Sequence, residues 1–518
     1  MFSVKKNVLQ LVALMRAFGI KDVVLCPGSR NSPLSESFAA CVDFRCHPVT
    51  DERSAGFQAI GIIEETRNAV AVCCTSGTAL LNLASAVAEA YYQHLPLLVI
   101  SADRPTAWIG QMDGQTICQP DALAPFVRKR VNLPEISTDE DAWFCNRLIN
   151  EALLCLTMPE KGSVHINVPI SEPLFDFSAE RLPEVRKIDA NVNGAICKWQ
   201  SSRRPMLLVG QHLPDEDLPE ALRCLCDSKR CVVLGEHLAN VPDVIGNFDD
   251  MELTETFAPD FLITIGGHVV SKKLKRFLRT NPPSAHWHIS ADGAVVDTFK
   301  CLTDVLACSD IPSLLISLSE LGNNADEKFM NLWKTASAQL SHAGGDSLEE
   351  YVTGELLRQM PENSALQLAN SSAVRLAQRF ALPLGTKVYC NRGTNGIDGS
   401  LSAAVGYANV HSGVTFLIVG DLSFFYDMNA LISLRKDADL HVMLLNNGGG
   451  KIFEKLFDMD ENARKFVAGQ GEHISAKKWA ETVGMAYMSL SGKENTAQVV
   501  ADFVSRKGNV LLEVNIES

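Results

Sequence analysis

Short runs of aliphatic and β-branched residues recur along the whole chain, separated by stretches with helical spacing. Strands buried on both faces read as continuous apolar runs, and consecutive parallel strands need a long crossover, usually a helix. The alternation therefore predicts open, mainly parallel sheets covered by helices. The first third carries "KDVVLCPGS", "AVAVCCTSG", "LPLLVISADRP" and "GSVHINVPI", and the polar stretch 177–205 reads as a linker. In the middle third the strand candidates are "PMLLVGQH", "RCVVLGEHL", "FLITIGGHV" and "AHWHIS". A helical, polar region near 315–355 precedes "ALQLANSS", "KVYCNRG", "TFLIVGD", "HVMLLNN" and "VLLEVNI". At about 150 residues per domain, 518 residues make roughly three such units. Three consecutive α/β domains are expected, at 1–180, 181–345 and 346–518. The first and last thirds share strand count and spacing, which hints at a duplicated unit.

Charge narrows the partners. With 47 basic against 61 acidic residues the formal balance is −14, which argues against nucleic acid or an anionic membrane surface. Local basic pockets remain compatible with it. The 15 cysteines lie scattered in apolar runs without a C-x-x-C pair, the pattern of buried free thiols in a reducing compartment. The opening "MFSVKKNVLQLVALMRAFGI" imitates a signal peptide, but Gln10 and Arg16 interrupt the apolar stretch and no small-residue cleavage site follows. Its apolar spacing suits a first amphipathic helix instead. No run is long enough to cross a bilayer, and a cytoplasmic protein is expected.

In open parallel sheets ligands bind at the carboxyl ends of the strands, so chemistry is sought in the residues that follow them. Neither G-x-G-x-x-G nor G-x-x-x-x-G-K-[ST] occurs. "TFLIVGDLSFFYD" reads as a buried strand ending in Gly420-Asp421, and "HVMLLNNGGG" as another ending in Asn446-Asn447 and three glycines. Oxygens of Asp421 and Asn447 at two strand ends can converge on one hard ion such as Mg²⁺, which takes phosphate oxygens for its remaining positions. The glycines let the backbone approach a bulky anion. Each piece alone also reads as a helix cap or a turn. In "PVTDERSAGFQAIG" Asp51 suits a helix cap, while Glu52 stands where a strand runs into a helix. Taken singly, Glu52 reads as a solvated acid. His286 and His288 share a strand face, with no third metal ligand near in sequence.

Gly-Asp-x-Ser followed by Asn-Asn resembles the Mg²⁺–diphosphate motif of thiamine diphosphate enzymes. That resemblance implies a fold of three α/β domains, with thiamine diphosphate and Mg²⁺ as cofactors and Mn²⁺ as a possible substitute. It implies metal ligands Asp421, Asn447 and the backbone oxygen of Gly449, with Gly420, Leu422 and Ser423 beside the cofactor. Ile397 in "GIDG" matches the residue that wedges the cofactor into its bent shape, and Ile452 and Phe453 match an apolar wall. Glu52 matches the glutamate that hydrogen-bonds the cofactor's pyrimidine nitrogen and favours the tautomer that removes the thiazolium proton.

Finer motifs narrow the resemblance: "CPGSRNSPL", "TDERSAGF", "TSGTALLNL", "SADRPTAW", "NSSAVR", "NRGTNGIDG" and "GDLSFFYDMNAL". Together they are similar to the 2-succinyl-5-enolpyruvyl-6-hydroxy-3-cyclohexene-1-carboxylate synthases of menaquinone biosynthesis. The family's substrates, 2-oxoglutarate and isochorismate, are dicarboxylates, and guanidinium forks grip carboxylates in two places. The resemblance places substrate contacts at Arg30, Arg104, Arg375 and Arg392, with Ser29, Gln115 and Ser371 assisting. Lys272 and Lys273 match a basic pair from the central domain, although a third lysine two residues on permits a shifted alignment. Arg104 and Arg392 are each read as directly following a buried strand. A homodimer or homotetramer with active sites at chain interfaces is implied. Two other readings stay open here. One is another thiamine-dependent 2-oxo acid decarboxylase or acetolactate-type carboligase, which the four arginines oppose. The other is a non-catalytic binding homologue, which retention of Glu52, Asp421 and Asn447 opposes.

Overall fold

The protein is described by a computed structural model over residues 1–157, 161–339, 347–450, 466 and 474–516. By compactness it divides into two units, Met1–Ala195 with Asp292–Ala307, and Ile196–Ala291 with Cys308–Ser518. Among the described residues no helix is long and apolar enough to cross a membrane.

The first unit is built on β1 (Asp22–Leu25), β2 (Arg45–Pro48), β3 (Val70–Cys74), β4 (Leu97–Asp103), β5 (Lys129–Asn132) and β6 (Val164–Pro169). Their order is β2-β1-β3-β4-β6-β5, all pairs parallel. Successive side chains of a strand point to opposite faces, and here both faces are apolar. Val23, Ala71, Leu98 and Ile100 pack with Leu11, Phe38 and Ile149 on one side. Val24, Val72, Leu97 and Val99 pack with Ala55, Ile60 and Val87 on the other. The amino-terminal segment forms the helix Lys6–Ala17, as its spacing predicts, with buried Asn7 donating to Pro169 O at 2.8 Å.

Two further sheets follow. One contains β7 (Pro205–Val209), β8 (Val232–Gly235), β9 (Phe261–Ile265), β10 (Ala285–Ser290) and β11 (Asp304–Ala307), in the order β11-β10-β9-β7-β8. The other contains β12 (Ala365–Leu368), β13 (Lys387–Tyr389), β14 (Thr415–Gly420), β15 (Leu440–Asn446), β16 (Ala486–Ser491) and β17 (Val510–Asn515). Its order, β13-β12-β14-β15-β17-β16, repeats that of the first sheet strand for strand. The similarity of the two outer thirds in sequence therefore extends to topology. In both sheets the order reverses beside the first strand, between β1 and β3 and between β12 and β14, which is where such sheets open a crevice for ligand.

Four strands lie outside the runs read from the sequence: β2, β5, β11 and β16. Each is a sheet edge, where only one side is hydrogen-bonded and an apolar run is not required. The stretch read as a linker also contains the helix Val192–Ser201. Its Trp199 is fully buried, edge-on to Phe261 with ring centroids 6.0 Å apart, so one large side chain anchors an otherwise polar segment. All 15 cysteines are free thiols.

Candidate active site

The residues singled out in the sequence gather into two groups, one in each unit. In the first unit Asp51 caps the helix Glu52–Thr66, its side chain accepting from Arg53 N at 3.0 Å. That leaves Glu52 as the first residue of the helix, partly exposed, with Asn82 Nδ2 donating to its Oε2 at 3.3 Å. Burial pushes the thiol of Cys26, just past β1, up to about 12, and the Glu52 and Asp51 carboxylates add to the shift. The same glutamate bears on Cys74 at the end of β3. Glu52 thus stands over the crevice between β1 and β3. The loops there are pressed together: a Cβ on Gly28 would meet Thr75 Cβ at 2.4 Å, so only glycine fits.

Arg30, 4% exposed, donates to Ile170 O at 2.9 Å and pairs with Glu172 Oε1 at 2.9 Å. Arg104 follows the fully buried β4 and donates to Gly114 O through Nε (3.2 Å) and Nη2 (3.1 Å). Its Nη1 lies 4.0 Å from Glu172 Oε1 as well. Two guanidinium groups therefore share one exposed carboxylate oxygen, an arrangement suited to carboxylate ligands. Gln115 directly follows Gly114 and is exposed, as is Ser29 beside Arg30. Beneath them runs a buried polar chain absent from the sequence reading. Asn167 Nδ2 donates to Asp103 Oδ2 (2.8 Å), while its Oδ1 accepts from Ser101 Oγ (2.7 Å) and Gln119 Nε2 (2.8 Å). Burial lifts Asp103 to about 6 despite the Asn167 bond and the nearby Arg30. "SVHINVP" shows polar residues alternating inside a strand, the one signal that could have exposed this network.

In the second unit Asn370 is the joint. Just past β12, it donates to Asn391 O at 2.8 Å and Gly396 O at 2.6 Å, and accepts from Arg392 Nη1 at 3.0 Å. It thereby ties down the loop that carries Arg392 and Ile397, and Ser423 Oγ donates to Ile397 O from the other side. Arg392 is 6% exposed, and its Nε meets no acceptor among the described residues. The strand before it, β13, is a partly exposed edge rather than the buried strand expected from the sequence. Ile397 is an exposed large apolar side chain, as one that contacts a ligand would be. Ser371 has φ 72°, a costly conformation for a residue with a Cβ, and its carbonyl accepts from Arg375 Nη1 at 2.5 Å.

Lys272 is exposed, and Lys273 Nζ donates to the carbonyls of Asp249 (2.9 Å) and Met251. Lys275 is the lysine on the inward side of the helix Lys272–Thr280, between buried Leu274 and Leu278. Burial lowers its pKa, Glu236 opposes that, and Arg392, Arg279 and Arg375 add to it. Glu236 accepts from Val270 N (2.6 Å) and Ser271 N (2.7 Å), and burial raises it to about 7. His286 and His288 both meet Thr264 Oγ1, at 2.9 and 3.0 Å, and among the described residues no metal-binding cluster of His, Cys, Asp or Glu occurs.

Asp421 and Asn447 stand at the ends of the paired strands β14 and β15. Asp421 Oδ2 accepts from Gly448 N (2.7 Å) and Gly449 N (2.9 Å), which folds the glycine turn onto the carboxylate. Leu422 N donates to Oδ1 at 2.6 Å, and Gly420 precedes with open space where a Cβ would be. Gly448 and Gly449 have φ 77° and 141°, which favour glycine. Asn447 Oδ1 is buried and meets no donor among the described residues. A buried, unpaired carbonyl beside a carboxylate is costly unless something positive fills the place, and a Mg²⁺ ion fits that donor set. Ile452 and Phe453 lie outside the described residues.

Comparison with known proteins gives each outer third its own match. Residues 8–124 match the N-terminal TPP binding domain of thiamine pyrophosphate enzymes, and 371–514 match the C-terminal TPP binding domain. The 2-succinyl-5-enolpyruvyl-6-hydroxy-3-cyclohexene-1-carboxylate synthase of Phocaeicola vulgatus is 47% identical over 540 aligned positions, 99% of this chain and 96% of the relative. The chain belongs to this synthase family. The synthase of Bacteroides thetaiotaomicron is 46% identical over 99% of this chain and 96% of its own length. That of Porphyromonas gingivalis is 36% identical over 99% and 95%. The synthase likeness thus spans the middle sheet too, which neither domain model reaches.

Proposed function

We propose that this chain decarboxylates 2-oxoglutarate and transfers the succinyl unit to isochorismate, using thiamine diphosphate and Mg²⁺. Within the fold the observation that carries the reading is Asn447 Oδ1, a buried acceptor without a donor among the described residues, at the strand end neighbouring that of Asp421. Family membership supports the substrates and the thiamine diphosphate requirement. When bound, the cofactor supplies the electron sink for the carbanion left after CO₂ departs. The chain's own residues do the rest. Asp421, Asn447 and the Gly449 carbonyl hold the metal. Ile397 presses the cofactor, Leu422 and Ser423 flank it, and Glu52 holds a proton at the pyrimidine nitrogen. Arg375 and Arg392, with Ser371, grip one carboxylate, and we assign the central domain's contribution to Lys275 rather than to Lys272 and Lys273. Arg30 and Arg104, with Ser29 and Gln115, receive the other substrate, displacing the exposed Glu172 carboxylate.

On this reading residues 1–180 bind the pyrimidine, 346–518 bind the diphosphate, and 181–345 form the central domain. The assembly is a cytoplasmic homodimer or homotetramer in which the Glu52 half-site of one chain serves the Asp421 half-site of another. The test is loss of isochorismate absorbance by purified protein with Mg²⁺ and 2-oxoglutarate. Loss that needs both substrates and thiamine diphosphate is expected. Cofactor-dependent CO₂ release from some other 2-oxo acid, with isochorismate untouched, would refute the substrates while leaving the cofactor chemistry in place.

A further inference from the structure

Asn447 has two chemically opposite ends, a carbonyl oxygen that can face a cation and an NH₂ group that repels one. Its neighbour decides which end faces where. Nδ2 donates to Glu349 Oε1 at 2.6 Å, and a carboxylate only accepts, so Glu349 can be met only by the NH₂ end. The carbonyl oxygen is thereby turned away from Glu349 and left as a buried acceptor without a donor among the described residues. Turning the amide over would place two acceptors against each other and bring the NH₂ group to the cation.

Glu349 is itself held firmly. It lies in the first turn of the twelve-residue helix Leu348–Gln359, where Ser347 caps the helix by accepting from Glu350 N at 3.2 Å. Val352, Leu356 and Leu357 anchor that helix in the core around β12 and β14. The next residue, Glu350, pairs with Arg379 at 2.6 Å, which fixes the turn from the outer side. A rigid element therefore delivers one carboxylate to one amide. Partners that orient a ligand commonly set metal affinity by 10–100-fold.

We infer that Glu349 is a positioning residue for the divalent-cation site: it locks the Asn447 amide with its oxygen toward the ion without touching the ion itself. The inference rests on the reading of Asp421 and Asn447 as metal ligands. It extends the site into the helix that opens the C-terminal domain.

The test is Mn²⁺ affinity of the full-length protein in the presence of thiamine diphosphate, read by electron paramagnetic resonance, with folding followed by circular dichroism. Glu349→Ala is expected to weaken Mn²⁺ binding roughly 10–100-fold. In an N447D background both ends of the side chain are oxygens and orientation no longer matters. There the same Glu349→Ala change is expected to cost nothing, or to help by removing a like charge. An equal loss in both backgrounds, or no loss in either, would overturn the positioning role. Asp421→Ala is the separate control. Unchanged Mn²⁺ affinity in that variant would overturn the metal reading itself, whereas its loss together with an unaffected Glu349→Ala would overturn only the role of Glu349.

Discussion

Replacing Asn370 with alanine removes four hydrogen bonds at once around the loop that carries Arg392 and Ile397, one of them a long bond from Cys390 Sγ at 3.5 Å. Two carbonyls, of Asn391 and Gly396, lose donors at 2.8 and 2.6 Å, and the buried Arg392 guanidinium loses an acceptor at 3.0 Å. A buried neutral group left unpaired costs about 1–3 kcal/mol, and a charged one more. Water entering the vacated space offsets part of that, so a net cost of about 3 kcal/mol is expected, spent on loosening the loop. If the loss falls on substrate binding in the transition state, it is roughly a hundredfold in kcat/KM. The assay is steady-state kinetics with 2-oxoglutarate varied at saturating isochorismate and cofactor, alongside urea denaturation. Asn370→Asp keeps the acceptor facing Arg392 while losing both donated bonds, so it is expected to fall between wild type and alanine. An alanine variant with wild-type kinetics and an unchanged denaturation midpoint would refute the claim that Asn370 holds the Arg392 loop.

Other expectations follow from neighbouring groups. Lys275→Met is expected to raise KM for a dicarboxylate at least tenfold, whereas Lys273→Met is expected to affect stability alone, because its ammonium caps two carbonyls; steady-state kinetics of the pair decides, and the reverse pattern would restore the original alignment. Glu236 has a folded-state pKa raised by burial from 4.5 to about 7, so its contribution is fully present below pH 4.5 and is lost as pH rises through 7. Relative to Glu236→Gln, wild type is expected to lose up to ~3 kcal/mol of unfolding free energy across that window, and a flat difference would contradict it.

What the sequence made legible follows burial. Runs such as "AVAVCC" and "LLVISAD" became strands because both faces of the sheet are covered, and in such strands the pattern is mostly apolar, with Ser101 and Asp103 the polar residues near the end of the second. Arg45–Pro48 and Lys129–Asn132 are equally strands, but at edges most of their side chains answer to solvent, and no apolar run marks them beyond the single buried Val131. Asp421 and Asn447 could be picked out as a pair because each directly follows a buried strand. Lysine spacing could not say which of Lys272, Lys273 and Lys275 turns inward, since that depends on how the helix sits on Leu274, Phe277 and Leu278. Asn370 and Glu349 make their hydrogen bonds to residues distant in sequence. Asn447 and Glu349 are 98 positions apart, and no local pattern encodes such a contact.

The central claim divides labour between Asp421 and Asn447, which bind the metal and diphosphate, and Glu52, which serves the chemistry. Calorimetric titration of thiamine diphosphate at saturating Mg²⁺ into wild type, Glu52→Gln and Asp421→Ala, with turnover measured on the same samples, tests it most directly. Glu52→Gln is expected to bind nearly as wild type while turnover falls roughly 10²–10⁴-fold. Asp421→Ala is expected to lose metal-dependent binding outright. Wild-type turnover in the first variant, or wild-type affinity in the second, would contradict the account.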